Sequence, residues 1–227
     1  MAESSPTTAA FFRVEGVLTR RGALAAAAYL AANGQGFRER AFRLGQLALA
    51  GPAVALLRQN DRTLTNRMAW AACRGMSADR LAVLGEEFYE DYVSDKLLDS
   101  GLELVQRARR AGHRIVLVSE GVEAVVGPLA RAVRGVDDFF CNRLEVVDGE
   151  TTGRLTDPVF GGHDAGAWVR AYAEEHGVDL TRSVAYAAKG PDLLLLAAVG
   201  EPCAVNADYT LRRAATEARW ARLDYAA

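Results

Sequence analysis

Residues Ala9 to Leu18 read AAFFRVEGVL. The stretch opens as an unbroken apolar run and ends on Arg13-Val14-Glu15-Gly16. An apolar run without polar alternation, bounded by a glycine, predicts a strand buried on both faces of a parallel sheet. Polar residues at the end of such a strand stand at the carboxyl edge of the sheet, where open α/β folds hold their ligands. Arg13 and Glu15 are therefore the first candidate site residues. The arginine restricts the chemistry, because a guanidinium is not deprotonated in a protein and has no lone pair for attack.

The rest of the chain arranges itself around that strand. From Arg20 to Lys96 the pattern is helical, rich in Ala, Leu and Arg. Ser77 reads as the N-cap of ADRLAVLGEEFYEDY, in which Leu81, Leu84 and Phe88 fall at helical spacing. Past residue 96 strands and helices alternate. The expected order is helix Gly101–Ala111, strand Ile115–Glu120 (IVLVSE), helix Val122–Val133 and an extended stretch Phe139–Val147 that turns back at Asp148-Gly149. Helix Ala165–His176, strand Ser183–Ala187, helix Pro191–Val199, strand Cys203–Asn206 and helix Tyr209–Ala218 complete it. Such alternation with short joints predicts an α/β fold, a parallel sheet with helices on both faces. The first strand precedes the helical block. Residues 20–96 therefore read as an all-helical cap inserted into a core made of 9–19 and 97–227, behind a polar tail of residues 1–8.

Composition narrows the function classes. The chain has 227 residues, half of them hydrophobic, enough for one large core and a smaller one. A net charge of -2 with both signs interspersed lacks the basic footprint of a nucleic-acid binder. Cys73, Cys141 and Cys203 are scattered in apolar surroundings and predict buried, reduced thiols. The opening MAESSPTT lacks the basic and apolar regions of a signal peptide, so a cytoplasmic location is expected. Leu47–Leu57 (LALAGPAVALL) falls short of the roughly 20 apolar residues of a membrane span. It reads as a buried bundle helix broken at Gly51-Pro52, or else as a surface for a protein partner or a membrane interface.

Four stretches carry a family resemblance: AAFFRVEGVL, LEVVDGETTG from Leu144, EHGVDLTRSVAYA from Glu175 and VGEPCAVNADYTLRR from Val199. Together they resemble the haloacid dehalogenase (HAD) phosphatases, in the phosphoserine-phosphatase-like branch whose helical cap follows the first strand. The resemblance runs from Ala9 to about Trp220 and implies a HAD-like Rossmannoid core with an inserted helical cap. It also implies site positions. The family's first motif is an apolar run followed by Asp-x-Asp-Gly-Thr. Its nucleophilic Asp falls on Arg13 and its acid/base Asp on Glu15. The phosphate-binding hydroxyl falls on Ser119, which is intact, and the motif Lys falls on Ala165. In the last motif, Asp-Ser-x-x-Asp-Leu or close to it, Ala188 replaces the first Asp, Lys189 is its neighbour and Asp192 is retained.

Those replacements imply a degenerate phosphatase that acts as a binding, regulatory or scaffolding subunit. The family's magnesium is not expected, because Arg13 and Ala188 remove carboxylates it would need. Arg13, Glu15, Ser119, Lys189 and Asp192 form a candidate cleft for a small phosphorylated or carboxylated molecule. An internal Arg13–Asp192 or Arg13–Glu15 salt bridge explains the same charges without a ligand. A second reading is a hydrolase with metal-independent acid/base chemistry on Glu15 or on His163 and Asp164. A third is a structural protein that binds through the apolar cap helix. Plainer roles also stand: Ser119 capping the helix at Val122, His163 and Asp164 serving a loop and N-cap, and Asp192 as a helix-start carboxylate.

Overall fold

The computed structural model describes residues 7–33, 45, 62–161 and 164–225. Strand β1 (Ala9–Arg13) lies inside a sheet with β2 (Arg114–Val122), β3 (Asp138–Asn142), β6 (Val184–Ala187), β7 (Glu201–Val205) and β8 (Ala221–Leu223). The spatial order of the six strands is β3-β2-β1-β6-β7-β8, and every pairing is parallel. Phe11 pairs with Val116 on one side and Ala185 on the other. Successive residues of β1 feed opposite cores. Ala10 and Phe12 join one hydrophobic cluster, Ala9 and Phe11 the other. Both faces are covered, which is why the strand shows no polar alternation.

Helix α4 (Asp99–Arg110) sends Leu104, Val105 and Ala108 into the cluster on the Phe12 face. Helix α6 (Ala165–His176) sends Val169, Tyr172 and Ala173 to the Phe11 face, joined there by Leu211 and Ala215 of α8 (Tyr209–Glu217). Phe12 stacks on Tyr186 with ring centres 4.6 Å apart, while Phe11 meets Tyr172 edge-on at 6.0 Å.

The described part of the insertion contributes α1 (Ala23–Ala32), α2 (Arg62–Trp70) and α3 (Ala78–Tyr92). Ser77 caps α3 as expected, its Oγ accepting from Arg80 N at 3.2 Å. The chain enters the insertion through one wide helical turn, Val14–Leu18, in which Thr19 N donates to Val14 O at 3.1 Å. Gly16 within it has φ +97°, and a Cβ there would lie 2.7 Å from Ala188 Cβ. The turn therefore sits tightly against the end of β6, and a side chain at Gly16 would push the two apart.

A second close approach joins α3 to α5 (Glu123–Ala132), where a Cβ on Gly85 would meet Ala124 O at 1.9 Å. Gly85→Ala is expected to lower stability by about 1–3 kcal/mol, although alanine is the better helix former by about 1 kcal/mol. The obstacle is backbone, so no side-chain rotation relieves it. Urea unfolding measures the difference, and a variant more stable than the parent would refute this close packing.

Several expected boundaries move. Phe139–Val147 is not one strand: β3 ends at Asn142 in the main sheet, and β4 (Leu144–Val147) pairs antiparallel with β5 (Glu150–Leu155). The Asp148-Gly149 turn is present, with φ 51° and 80°, as a tight hairpin of this hand requires. The hairpin lies against the insertion, with Gly75 N donating to Thr151 O and Thr151 N to Met76 O, both at 2.8 Å. The described residues between 20 and 96 are mainly helical, and the β4–β5 hairpin from later in the chain lies against them. Helix Pro191–Val199 is a single turn Gly190–Asp192 followed by α7 (Leu193–Leu196). Strand β8 was not anticipated. Of the residues expected in the polar tail, Thr7 bridges to Val178 and Thr8 O accepts from Arg114 N.

None of the three cysteines, all among the described residues, forms a disulfide; Cys73 and Cys203 are buried and Cys141 half-buried, and burial pushes the Cys141 thiol up to about 12. No helix among the described residues is long and apolar enough to cross a membrane. Leu47–Leu57 and His163 lie outside the described residues.

Candidate functional site

From β1 the sheet extends through β2 and β3 on one side and through β6, β7 and β8 on the other. The carboxyl end of β1 is therefore the topological switch point, the usual ligand crevice of an open α/β sheet. Arg13, the last residue of β1, sits there at 1% exposure. Its Nη2 lies 2.6 Å from Glu120 Oε1, and its Nε lies 3.1 Å from Asp192 Oδ1 and 3.4 Å from Glu15 Oε2. A second guanidinium comes from the insertion. Arg62, the first residue of α2, places Nη1 2.7 Å from Glu120 Oε1 and 3.4 Å from Asp192 Oδ1.

The three carboxylates reach the cluster from three directions. Glu15 belongs to the wide turn after β1, Glu120 to β2, and Asp192 to the single turn following β6. Glu15 Oε1 accepts from Ser119 Oγ at 2.6 Å and from Glu120 N at 3.0 Å. The β2–β3 register shifts between Val118 and Val122. That irregularity lets consecutive residues Ser119 and Glu120 serve one site, which a regular strand would point to opposite faces. Asn142 at the end of β3 fixes the segment, donating to Glu120 O and accepting from Phe160 N, both at 2.8 Å.

Burial alone would lower the Arg13 pKa, but Asp192, Glu120 and Glu15 outweigh it and hold the pKa above its ordinary value. Arg13 is a permanent cation here. Burial raises the pKa of Glu120 and of Asp192, and the opposing pull of Arg13 and Arg62 does not fully cancel it. Two guanidinium groups lie among the three carboxylates. The half-buried Lys189 adds positive potential at Asp192. Among the described residues no Arg13 nitrogen makes a hydrogen bond of normal geometry, despite the 2.6 Å approach of Nη2. Charge rather than aligned donors holds this side chain. A cavity of about 20 Å³ beside it, lined by Glu15, Arg62, Thr65, Asn66, Glu120 and Lys189, has room for about one water molecule.

The structure brings together Arg13, Glu15, Ser119 and Asp192 of the expected set. Arg13 pairs internally with both Asp192 and Glu15, so its charge is not open for an anion. Ser119 is likewise engaged: its Oγ donates to Glu15 and accepts from Gly121 N at 3.0 Å, and it does not cap α5. Ala188 is buried at the end of β6. Ala165 is buried in the cluster on the Phe11 face, and Asp164 before it is exposed and makes no side-chain cap. Neither joins the charge cluster among the described contacts.

Sequence reasoning missed Glu120 and Arg62. The first is adjacent to Ser119 in VSEG, but ideal alternation points it away. For Arg62, one arginine among many in the helical block, no local signal existed.

The haloacid dehalogenase-like hydrolase family matches residues 10–196. A phosphoserine phosphatase of Mycobacterium tuberculosis is 33% identical over 166 residues, covering 73% of this chain and 54% of that protein. An "inhibition of morphological differentiation protein" of Streptomyces azureus is 33% identical over 156 residues, covering 68% and 56% respectively. The chain thus spans about half the length of the curated relatives it matches. Among solved structures, a protein of unknown function from Bordetella pertussis Tohama I superposes with TM-score 0.78 at 24% identity, covering 97% of this chain and 99% of that one. A substrate-bound phosphoserine phosphatase superposes with TM-score 0.67 at 18% identity, covering 97% and 94%. The chain belongs to the haloacid dehalogenase-like hydrolase family and is phosphatase-like within it.

The magnesium that this family resemblance brings with it does not fit the residues present. Magnesium requires several oxygen ligands in near-octahedral order. Here the three carboxylates enclose a guanidinium, and Glu15 is further engaged by Ser119 and Glu120 N.

Proposed function

We propose that this chain is a non-catalytic family member, a pseudophosphatase that acts as a binding or regulatory subunit. The observation that carries the reading is Arg13, a buried guanidinium in ion pairs with Glu15, Glu120 and Asp192 at the position where the resemblance implies the family's nucleophile. Covalent phosphoryl transfer needs an attacking group with an available lone pair, and this one has none. The remaining motif positions support the same conclusion. Ala165 and Ala188 carry no charge to stabilise a transition state, and Ser119 is held by Glu15.

The alternative, acid/base chemistry on Glu15, is less well supported. Glu15 Oε1 accepts from Ser119 Oγ and Glu120 N, and Oε2 lies against Arg13, so both oxygens are engaged within the chain. A small phosphorylated or carboxylated ligand would have to displace chain carboxylates from Arg13, so the reading places binding on the outer surface of the domain, toward a protein partner. Three cysteines without a disulfide are compatible with the reducing cytoplasm.

The test is enzymatic. The purified chain is expected to hydrolyse neither phosphoserine nor para-nitrophenyl phosphate above buffer, with or without magnesium. Magnesium-dependent turnover that co-purifies with the protein and vanishes in Asp192→Asn would overturn the proposal.

A further inference from the structure

The sheet is not covered alike along its width. On the Phe12 face α4 packs on β1 and β2. The described helices that pack on β7 and β8 are α7 and α8, and both come from the Phe11 face. A parallel sheet is ordinarily buried on both faces. Here the Phe12 side of the β6–β8 half carries a groove of about 730 Å³ instead. It is lined by the first residues of three strands, Val184, Glu201 and Ala221, so it opens at the amino edge of the sheet, opposite the charge cluster. Its volume falls in the range of small-molecule sites, about 300–1,000 Å³. Val184, Tyr186 and Cys203 give it an apolar floor, each less than a tenth exposed, and Trp220 and Leu223 are half-buried beside them.

The charged lining residues are Arg107, Arg219 and Glu201, all exposed. Arg109, Arg114, Arg212 and Arg213 each hold a carboxylate of the chain, whereas Arg107 and Arg219 form no ion pair among the described residues. The charge of Arg107 reaches the groove floor, where it acts on both Tyr186 and Cys203. Burial holds the Tyr186 phenol up to about 12, so it stands there as a neutral hydroxyl able to donate. Arg219 has φ +59°, the left-handed position just past the end of α8 that glycine or asparagine usually fills. An arginine carries a steric cost in that conformation, and the position places it in the groove lining.

We propose that this groove is a binding site for a flat aromatic monoanion, an aryl carboxylate or sulfonate, whose rings lie against Trp220 and Tyr186 and whose anionic group is taken by Arg107 and Arg219. Guanidinium groups offer paired N–H donors that match such oxyanions, and aromatic side chains add ring contacts to apolar burial. Glu201 sets the preference for a single negative charge, since it opposes a second one. The inference goes beyond the non-catalytic reading and does not depend on it, because it concerns the other edge of the sheet.

The probe is anilinonaphthalenesulfonate, an aromatic monoanion whose fluorescence rises in apolar surroundings, titrated into the full chain well below its melting temperature. Saturable binding of about one equivalent is expected. Naphthoate is expected to displace the probe, and the uncharged naphthalenemethanol is not. Arg107→Gln is expected to weaken binding about tenfold or more, the effect of losing a hydrogen bond to a charged group. Arg219→Gly is expected to weaken it as much while melting no lower than the parent, because glycine accepts the left-handed backbone. Lost affinity without lost stability separates a binding role from a structural one. Ala221→Trp, which fills the groove from an exposed position, is expected to abolish binding. Unchanged affinity in both arginine variants overturns the inference, as does equal competition by naphthalenemethanol or fluorescence that does not saturate. Loss of binding in Lys189→Gln also overturns it, because the probe would then lie in the cleft at the carboxyl edge. Phosphatase assays are a separate measurement, so failure here leaves the non-catalytic reading standing.

Discussion

Arg13→Asp, which introduces the carboxylate that the family resemblance implies at this position, is expected to cost the fold and to yield no phosphatase activity. It removes the cation that three buried carboxylates share and puts a fourth carboxylate among them. Removing one partner of a buried ion pair costs about 3–5 kcal/mol, and here the new group also repels its neighbours. A domain's whole stability is about 5–15 kcal/mol, so the variant should be largely unfolded, or unfold at a much lower urea concentration than the parent. No phosphatase activity should accompany it, because Ala165 and Ala188 still lack the charged groups that the resemblance implies. A variant that folds like the parent and turns over phosphoserine would show that the cluster is neither a stability element nor a barrier to turnover.

The severity of that outcome was only partly legible in the sequence. The order of strands and helices was, because buried parallel strands write themselves as apolar runs and Asp148-Gly149 demands a tight turn. The position of Arg13 at a sheet edge was legible for the same reason. Its neighbours were only half so. Asp192 and Glu15 could be named as partners because both lie in recognisable motif positions. Glu120 was hidden by the register shift in β2, a local irregularity that breaks the strand period. Arg62 was hidden by distance: it is 49 residues from Arg13 in the chain, and only the packing of α2 onto the core brings the two to the same carboxylates. Local pattern reports which face a residue occupies within its own element. It does not report which other element will cover that face. The split of Phe139–Val147 has the same origin, since the hairpin separates from the sheet to meet Gly75 and Met76 of the insertion.

Arg62 is also the residue through which the cluster reaches across the molecule, and its removal is the next largest expected effect. Arg62→Met keeps the aliphatic length and deletes one of the two guanidinium groups that face Glu120 and Asp192. A loss of about 3–5 kcal/mol is expected from urea unfolding, the usual consequence of leaving buried charge unpaired. Glu120→Gln should also be destabilising, because Arg13 and Arg62 both contact Glu120 Oε1. The double variant should lose less than the sum of the two by about 1 kcal/mol or more, since each single change already breaks the Arg62–Glu120 contact. The place of the damage is as informative as its size. Arg62 opens α2, and Asn66 one turn later donates to Phe160 O at 2.5 Å, so the start of this helix is fastened to the core at two points. Releasing one should raise amide exchange across Arg62–Trp70 more than in β1 and β2, whose protection comes from the parallel ladder. Additive losses, or exchange that rises equally in β1, would mean that Arg62 supports the domain globally and does not fasten the insertion to the charge cluster.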